Sequence, residues 1–136
     1  MPNYNCSRFL AQTIDSVISQ TYQEWELLIV DDKSTDDSVS IIQKYQEKDS
    51  RIKLFINKTN SGAAYSRNTA LLNTKGVYIA FLDSDDLWVP NKLEKQVKFM
   101  NDNNCDFSYT EYSLIDEGNA FYFMTHTEFS RSSDYI

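Results

Sequence analysis

The stretch GVYIAFLDSDDLWVP, Gly76 to Pro90, decides how the rest of the chain is read. Val77 to Leu82 is an apolar run that breaks off in acid, the pattern of a strand buried on both faces whose carboxyl end opens on a site. Asp83 and Asp85 flank Ser84, and in extended backbone positions i and i+2 point the same way, so the two carboxylates can converge on one ligand. A hard divalent cation suits them, because Mg²⁺ and Mn²⁺ take one or two protein carboxylates and fill the remaining positions with water and phosphate oxygens. Acids after a strand also cap the following helix, which is role enough for Asp86. Three acids in four residues exceed what one cap needs, and they repel one another unless a cation offsets them.

Working outward, Trp25 to Val30 (WELLIV) is a second apolar strand ending in acid, at Asp31 and Asp32. Before it, Leu10, Ile14, Val17 and Ile18 fall on one face of a helix spanning Ser7 to Gln20, capped by Asn5 or Ser7. After it, Ser34 to Asp37 offers N-caps to a helix carrying Val39, Ile42 and Tyr45, and Ile52 to Ile56 alternates as a strand. Asn60 to Ala64 is a small-residue entrance to a helix reaching about Asn73; such a start either brings N–H groups close to an anion or packs as a compact turn. Arg67, one turn in, can reach a phosphate or pair with a surface acid. Beyond Pro90, Leu93, Val97 and Met100 mark a helix ending near Asn103, Asp106 to Leu114 has strand composition, and residues 116–119 form the turn of a hairpin with 120–124. Alternating strands and helices predict a three-layer α/β/α unit with a mainly parallel sheet, in which ligands bind beyond the strands' carboxyl ends.

The chain has 136 residues, one domain's worth, and a net charge of −7, which disfavours nucleic-acid backbones and anionic membrane surfaces as main partners. Two distant cysteines, Cys6 and Cys105, indicate neither a disulfide framework nor a zinc site, and fit reduced thiols of a cytosolic protein. The single histidine, His126, supports no zinc-protease motif and is given no role. No run approaches the ~18 apolar residues of a membrane span. Neither GxGxxG nor GxxxxGK[ST] occurs, so dinucleotide enzymes and P-loop ATPases fit poorly.

Four segments in register carry a resemblance: PNYN at Pro2 to Asn5, SVISQTYQEWELLIVDDKSTD at Ser16 to Asp36, SGAAYSRN at Ser61 to Asn68, and GVYIAFLDSDDLWVPNKL at Gly76 to Leu93. They resemble the inverting family-2 nucleotide-diphospho-sugar glycosyltransferases, whose GT-A fold is Rossmann-like. The resemblance implies that Tyr4 packs against the nucleotide base and that Asp32, with Asp31 beside it, hydrogen-bonds that base. It implies that Asp83 and Asp85 are the DxD pair, Asp85 binding Mn²⁺ or Mg²⁺ and Asp83 reaching the cation, ribose or sugar, with Gly62 and Arg67 near ribose, phosphates or sugar. The family usually has glycine where this chain has Lys33.

The resemblance further implies transfer of a sugar, from a UDP-sugar, to a saccharide or lipid-linked acceptor in polysaccharide biosynthesis. It implies a cytoplasmic protein, peripheral at the inner membrane face in its full-length form. The family begins with a strand before the PNYN-like segment and continues past residue 136. The expectation is therefore a partial GT-A domain: a donor-binding half over 1–115, the start of the acceptor half over 116–136, the first strand missing, and no catalytic base, so that the fragment itself is inactive. The open sheet edge would favour a homo-oligomer. The alternative is a non-catalytic nucleotide or nucleotide-sugar binding module.

Overall fold

The computed structural model describes residues 1–115, which fall into two compact units, Met1–Lys92 and Leu93 onward. In the first, three parallel strands form a sheet in the order β1-β2-β3: β1 Pro2–Asn3, β2 Leu27–Asp31 and β3 Ile52–Ile56. The helices are α1 (Ser7–Ile18), α2 (Ser38–Lys48) and α3 (Gly62–Leu71), each within a few residues of its expected span. The first strand is present only as the two residues Pro2 and Asn3, paired with Val30 and Asp31.

β2 is the centre of the sheet, and its side chains alternate between two cores. Leu27 and Ile29 pack with Leu10, Ile14 and Val17 of α1, Ile42 of α2 and Ile52 of β3. Leu28 and Val30 pack on the other face with Ala70 of α3 and Phe55. Five consecutive buried residues in β2 thus follow from helices on both faces, giving the expected three layers. Each fully buried aliphatic side chain contributes about 1.5–3 kcal/mol.

Two strand expectations fail. Residues 77–82 form no strand, and Val77 and Phe81 are 92% and 62% exposed, with only Leu82 buried. A parallel strand needs a neighbouring ladder, and β1, with two residues, offers too short an edge for a six-residue partner. Residues 106–114 are likewise without strand pairing, although their β-prone composition is unchanged. The turn at 116–119, the segment 120–124 and His126 lie outside the described residues.

The second unit contains all but the first residue of α4 (Lys92–Asn103), with Gln96 Nε2 donating to Ser108 Oγ at 3.0 Å. Among the described residues no helix is long and apolar enough to cross a membrane.

Candidate functional site

The acids at the end of β2 follow the strand's alternation to opposite sides. Asp31 is fully buried; its Oδ1 accepts from Asn3 Nδ2 (2.8 Å) and Ser34 Oγ (2.6 Å), and its Oδ2 accepts from the Ser34 N–H (2.9 Å). These bonds pin the turn in which Lys33 has φ 64°, a left-handed conformation costly for any residue with a Cβ. A glycine would adopt this conformation without that cost.

Asp32 turns toward α3. Its Oδ1 accepts from Asn57 Nδ2 (2.7 Å) and the Ser61 N–H (2.9 Å), and its Oδ2 from the Gly62 N–H (2.7 Å). Ser61 makes no side-chain cap of its own, so the helix start is capped from a strand 30 residues away. Burial raises the carboxyl's pKa, but the donors from Asn57, Ser61, Gly62 and Ser66 outweigh it and hold it below the usual range. Gly62 itself has φ +86°, and a Cβ there would meet nothing within 4 Å, so glycine is needed for backbone conformation rather than space.

Asp36 repeats the device. Its Oδ2 accepts from the Ser7 N–H (2.9 Å) and its Oδ1 from the Ser38 N–H (3.0 Å), so one carboxylate joins the starts of α1 and α2. Burial opposes ionisation, yet hydrogen bonds from Ser38 and Ser7 bring its pKa to about 2 from 3.8. A depressed folded-state pKa gives stability that is complete above pH 3.8 and lost as pH falls through about 2. Urea denaturation between pH 5 and 2 should therefore show a falling midpoint, and Asp36→Ala should flatten that fall.

A cavity of about 350 Å³ opens beyond the strand ends, lined by Tyr4, Asp32, Gly62, Arg67, Asp83 and Asp85 among others. Six of the seven positions singled out from the sequence meet there; Asp31 does not line it. Arg67 Nη2 donates to Asp83 Oδ1 at 2.5 Å, a half-exposed pair worth little to stability but holding a cation at the cavity wall. Buried Asn3 lines the cavity too, and among the described residues its Oδ1 has no hydrogen-bond partner.

Around the DxD loop the acids are under-compensated: desolvation, then the charges of Asp85 and Asp83, push the Asp86 carboxyl above its usual range. Among the described residues no three or more His, Cys, Asp or Glu side chains gather about one point. Among the described residues, a cation here could take the Asp83–Asp85 pair, with water or phosphate filling other positions as Mg²⁺ and Mn²⁺ accept.

Sequence reading missed Asn57, Ser66 and the remote capping by Asp32 and Asp36. Asn57 carried one usable signal, a polar residue directly beyond the carboxyl end of β3.

Residues 1–135 match the family model described as Glycosyl transferase family 2. The chain belongs to that family. It is 48% identical over 114 residues to the putative teichuronic acid biosynthesis glycosyltransferase TuaG of Bacillus subtilis, covering 84% of this chain and 45% of that protein. It is also 48% identical over 115 residues to the UDP-Glc:alpha-D-GlcNAc-diphosphoundecaprenol beta-1,3-glucosyltransferase WfgD of Escherichia coli, covering 85% and 45%. The chain thus spans less than half the length of these curated relatives. Among solved structures, S. aureus TarS 1-349 in complex with UDP superposes with a TM-score of 0.73 at 32% identity, over 77% of this chain and 32% of that one. The mannosyltransferase PcManGT from Pyrobaculum calidifontis, in complex with GDP-Man and Mn²⁺, gives 0.70 at 28% identity, over 76% and 32%. The family-2 chain described here therefore has the GT-A fold expected from its sequence.

Proposed function

We propose that residues 1–115 are the donor-binding half of an inverting glycosyltransferase that takes a UDP-sugar, with residues 116–136 beginning the acceptor half. The observation that carries this reading is the convergence of Tyr4, Asp32, Gly62, Arg67, Asp83 and Asp85 on one cavity at the carboxyl ends of the strands. Tyr4, half exposed at the rim, offers a face for the base. The Asp32 oxygens are committed to α3, so this residue acts on the nucleotide chiefly by fixing the Ser61–Gly62 backbone beside it. Arg67 supplies a planar donor set for the diphosphate.

Asp85, with Asp83, would hold Mn²⁺ or Mg²⁺, which when bound stabilises the charge growing on a leaving diphosphate. An acceptor hydroxyl attacking from the opposite face needs a carboxylate base, and none of the described residues is assigned that role. The acceptor is a saccharide or lipid-linked saccharide, and the protein works in the cytoplasm or at the inner membrane face. What supports the acceptor is a relative named for a diphosphoundecaprenol acceptor; the location is only what the family resemblance implies.

Calorimetric titration of UDP should show binding with Mn²⁺ and little without it. Equal binding with and without metal would remove the DxD metal from the proposal. A second copy of the chain is the proposed partner for the edge of β1 that no described strand pairs with, and for the exposed residues 77–81. Sedimentation velocity should then show association that rises with concentration, and a monomer at all concentrations would discard it.

A further inference from the structure

The loop that carries the DxD acids has no ladder to hold it, and its backbone groups are met by one face of α1 and the residues just beyond that helix. Thr13 Oγ1 donates to the Ser84 carbonyl at 2.9 Å, and Cys6 Sγ approaches the same oxygen at 3.5 Å. Ser16 Oγ accepts from the Trp88 N–H (3.2 Å), Gln20 Nε2 donates to the Val89 carbonyl (2.8 Å), and the Thr21 N–H donates to the Pro90 carbonyl (2.8 Å). Positions 13 and 16 lie three residues apart on one face of α1, and Gln20, two residues past its end, continues the line by a four-residue step. A polar line therefore runs beside the apolar stripe of Leu10, Ile14 and Val17.

Thr13 is the deepest member, with no exposed surface. A buried threonine in a helix commonly satisfies itself on the carbonyl four residues back, and Thr13 does approach the Phe9 carbonyl, at 3.4 Å. Its contact with Ser84 is the shorter and better one. Ser84 is buried while Asp83 and Asp85 on either side are exposed, so the residue between the two carboxylates is anchored and the carboxylates project from it.

We propose that Thr13 is a positioning residue for the Asp83–Asp85 pair: its hydroxyl fixes the Ser84 carbonyl and thereby holds both carboxylates at the cavity. This deepens the donor-site reading above and rests on it for the metal. A group acting through a ligand's neighbours typically changes metal affinity about 10-fold to 100-fold.

The test compares Thr13→Val, which keeps shape and loses the donor, with Thr13→Ser, which keeps the donor and loses a methyl group. Mn²⁺ affinity is read by electron paramagnetic resonance, and amide hydrogen exchange is read in peptides covering residues 83–90, both on the whole chain. Thr13→Val should weaken Mn²⁺ binding about 10-fold and speed exchange of the loop amides, while Thr13→Ser keeps the wild-type values of both. A packing role gives the reverse order, with Thr13→Val silent and Thr13→Ser impaired, and overturns the proposal. If the wild-type chain binds no Mn²⁺, the metal reading is what fails. The exchange measurement still decides on Thr13: unchanged loop protection in Thr13→Val overturns its positioning role whatever the metal does.

Discussion

Asp32→Ala is expected to lower the unfolding free energy by roughly 2–4 kcal/mol, the combined scale of a lost helix cap and a stranded buried amide. The carboxylate receives the Ser61 and Gly62 N–H groups and the Asn57 amide, and Asn57 also donates to Ser66 Oγ at 3.0 Å. Alanine would leave the start of α3 uncapped and one partner of a 9%-exposed Asn57 unmatched. Asp32→Asn should fall between wild type and alanine, since its amide NH₂ faces donors where an oxygen now accepts. Urea denaturation at neutral pH measures both. A loss below about 0.5 kcal/mol for Asp32→Ala, the scale of an ordinary surface change, would mean that the cap is made by solvent instead. In the same variant UDP binding should weaken, because Gly62 and Arg67 ride on the helix that loses its anchor.

Asp85→Asn is expected to remove the metal dependence of UDP binding, with a loss of at least the roughly 10- to 100-fold that changes around metal ligands bring. Asparagine keeps the size and removes the charge that a hard cation requires. Stability should move the other way or not at all, because Asp85 is exposed and its charge raises the Asp86 pKa. Calorimetry with and without Mn²⁺, paired with a thermal melt, separates the two effects. Retained metal-dependent binding in a folded Asp85→Asn protein would assign the cation to other residues.

Much of this architecture was legible because apolar pattern and burial coincide wherever helices cover both faces of the sheet. β2 reads as an unbroken apolar run, and β3 and the three helices of the first unit fall close to their expected spans. Residues 77–82 carry the same kind of pattern without the structure, since pattern records what a segment can bury and not whether a neighbouring ladder exists to receive it. At the site, residue pattern and family resemblance together named seven positions, and six of them line the cavity. They could not separate Asp31 from Asp32, two adjacent and identical side chains that strand alternation sends to opposite faces. A cap from Asp36 to the helix just after it was expected, but its reach to Ser7 and that of Asp32 to Gly62 were not, because a cap supplied from some 30 residues away leaves no local signature.

That long reach bears on how the chain folds. Three helices have their first turns met by carboxylates from the segment following β2; the α2 start is met locally, but those of α1 and α3 are met only once that segment is in place beside them. Helix formation and sheet docking are thereby tied into one cooperative event, with residues 31–36 as its crossroads rather than a late-ordering loop. Asp32, which lines the cavity, is also a residue on which assembly of the sheet and α3 converges, which narrows the range of substitutions able to alter the cavity without altering the fold.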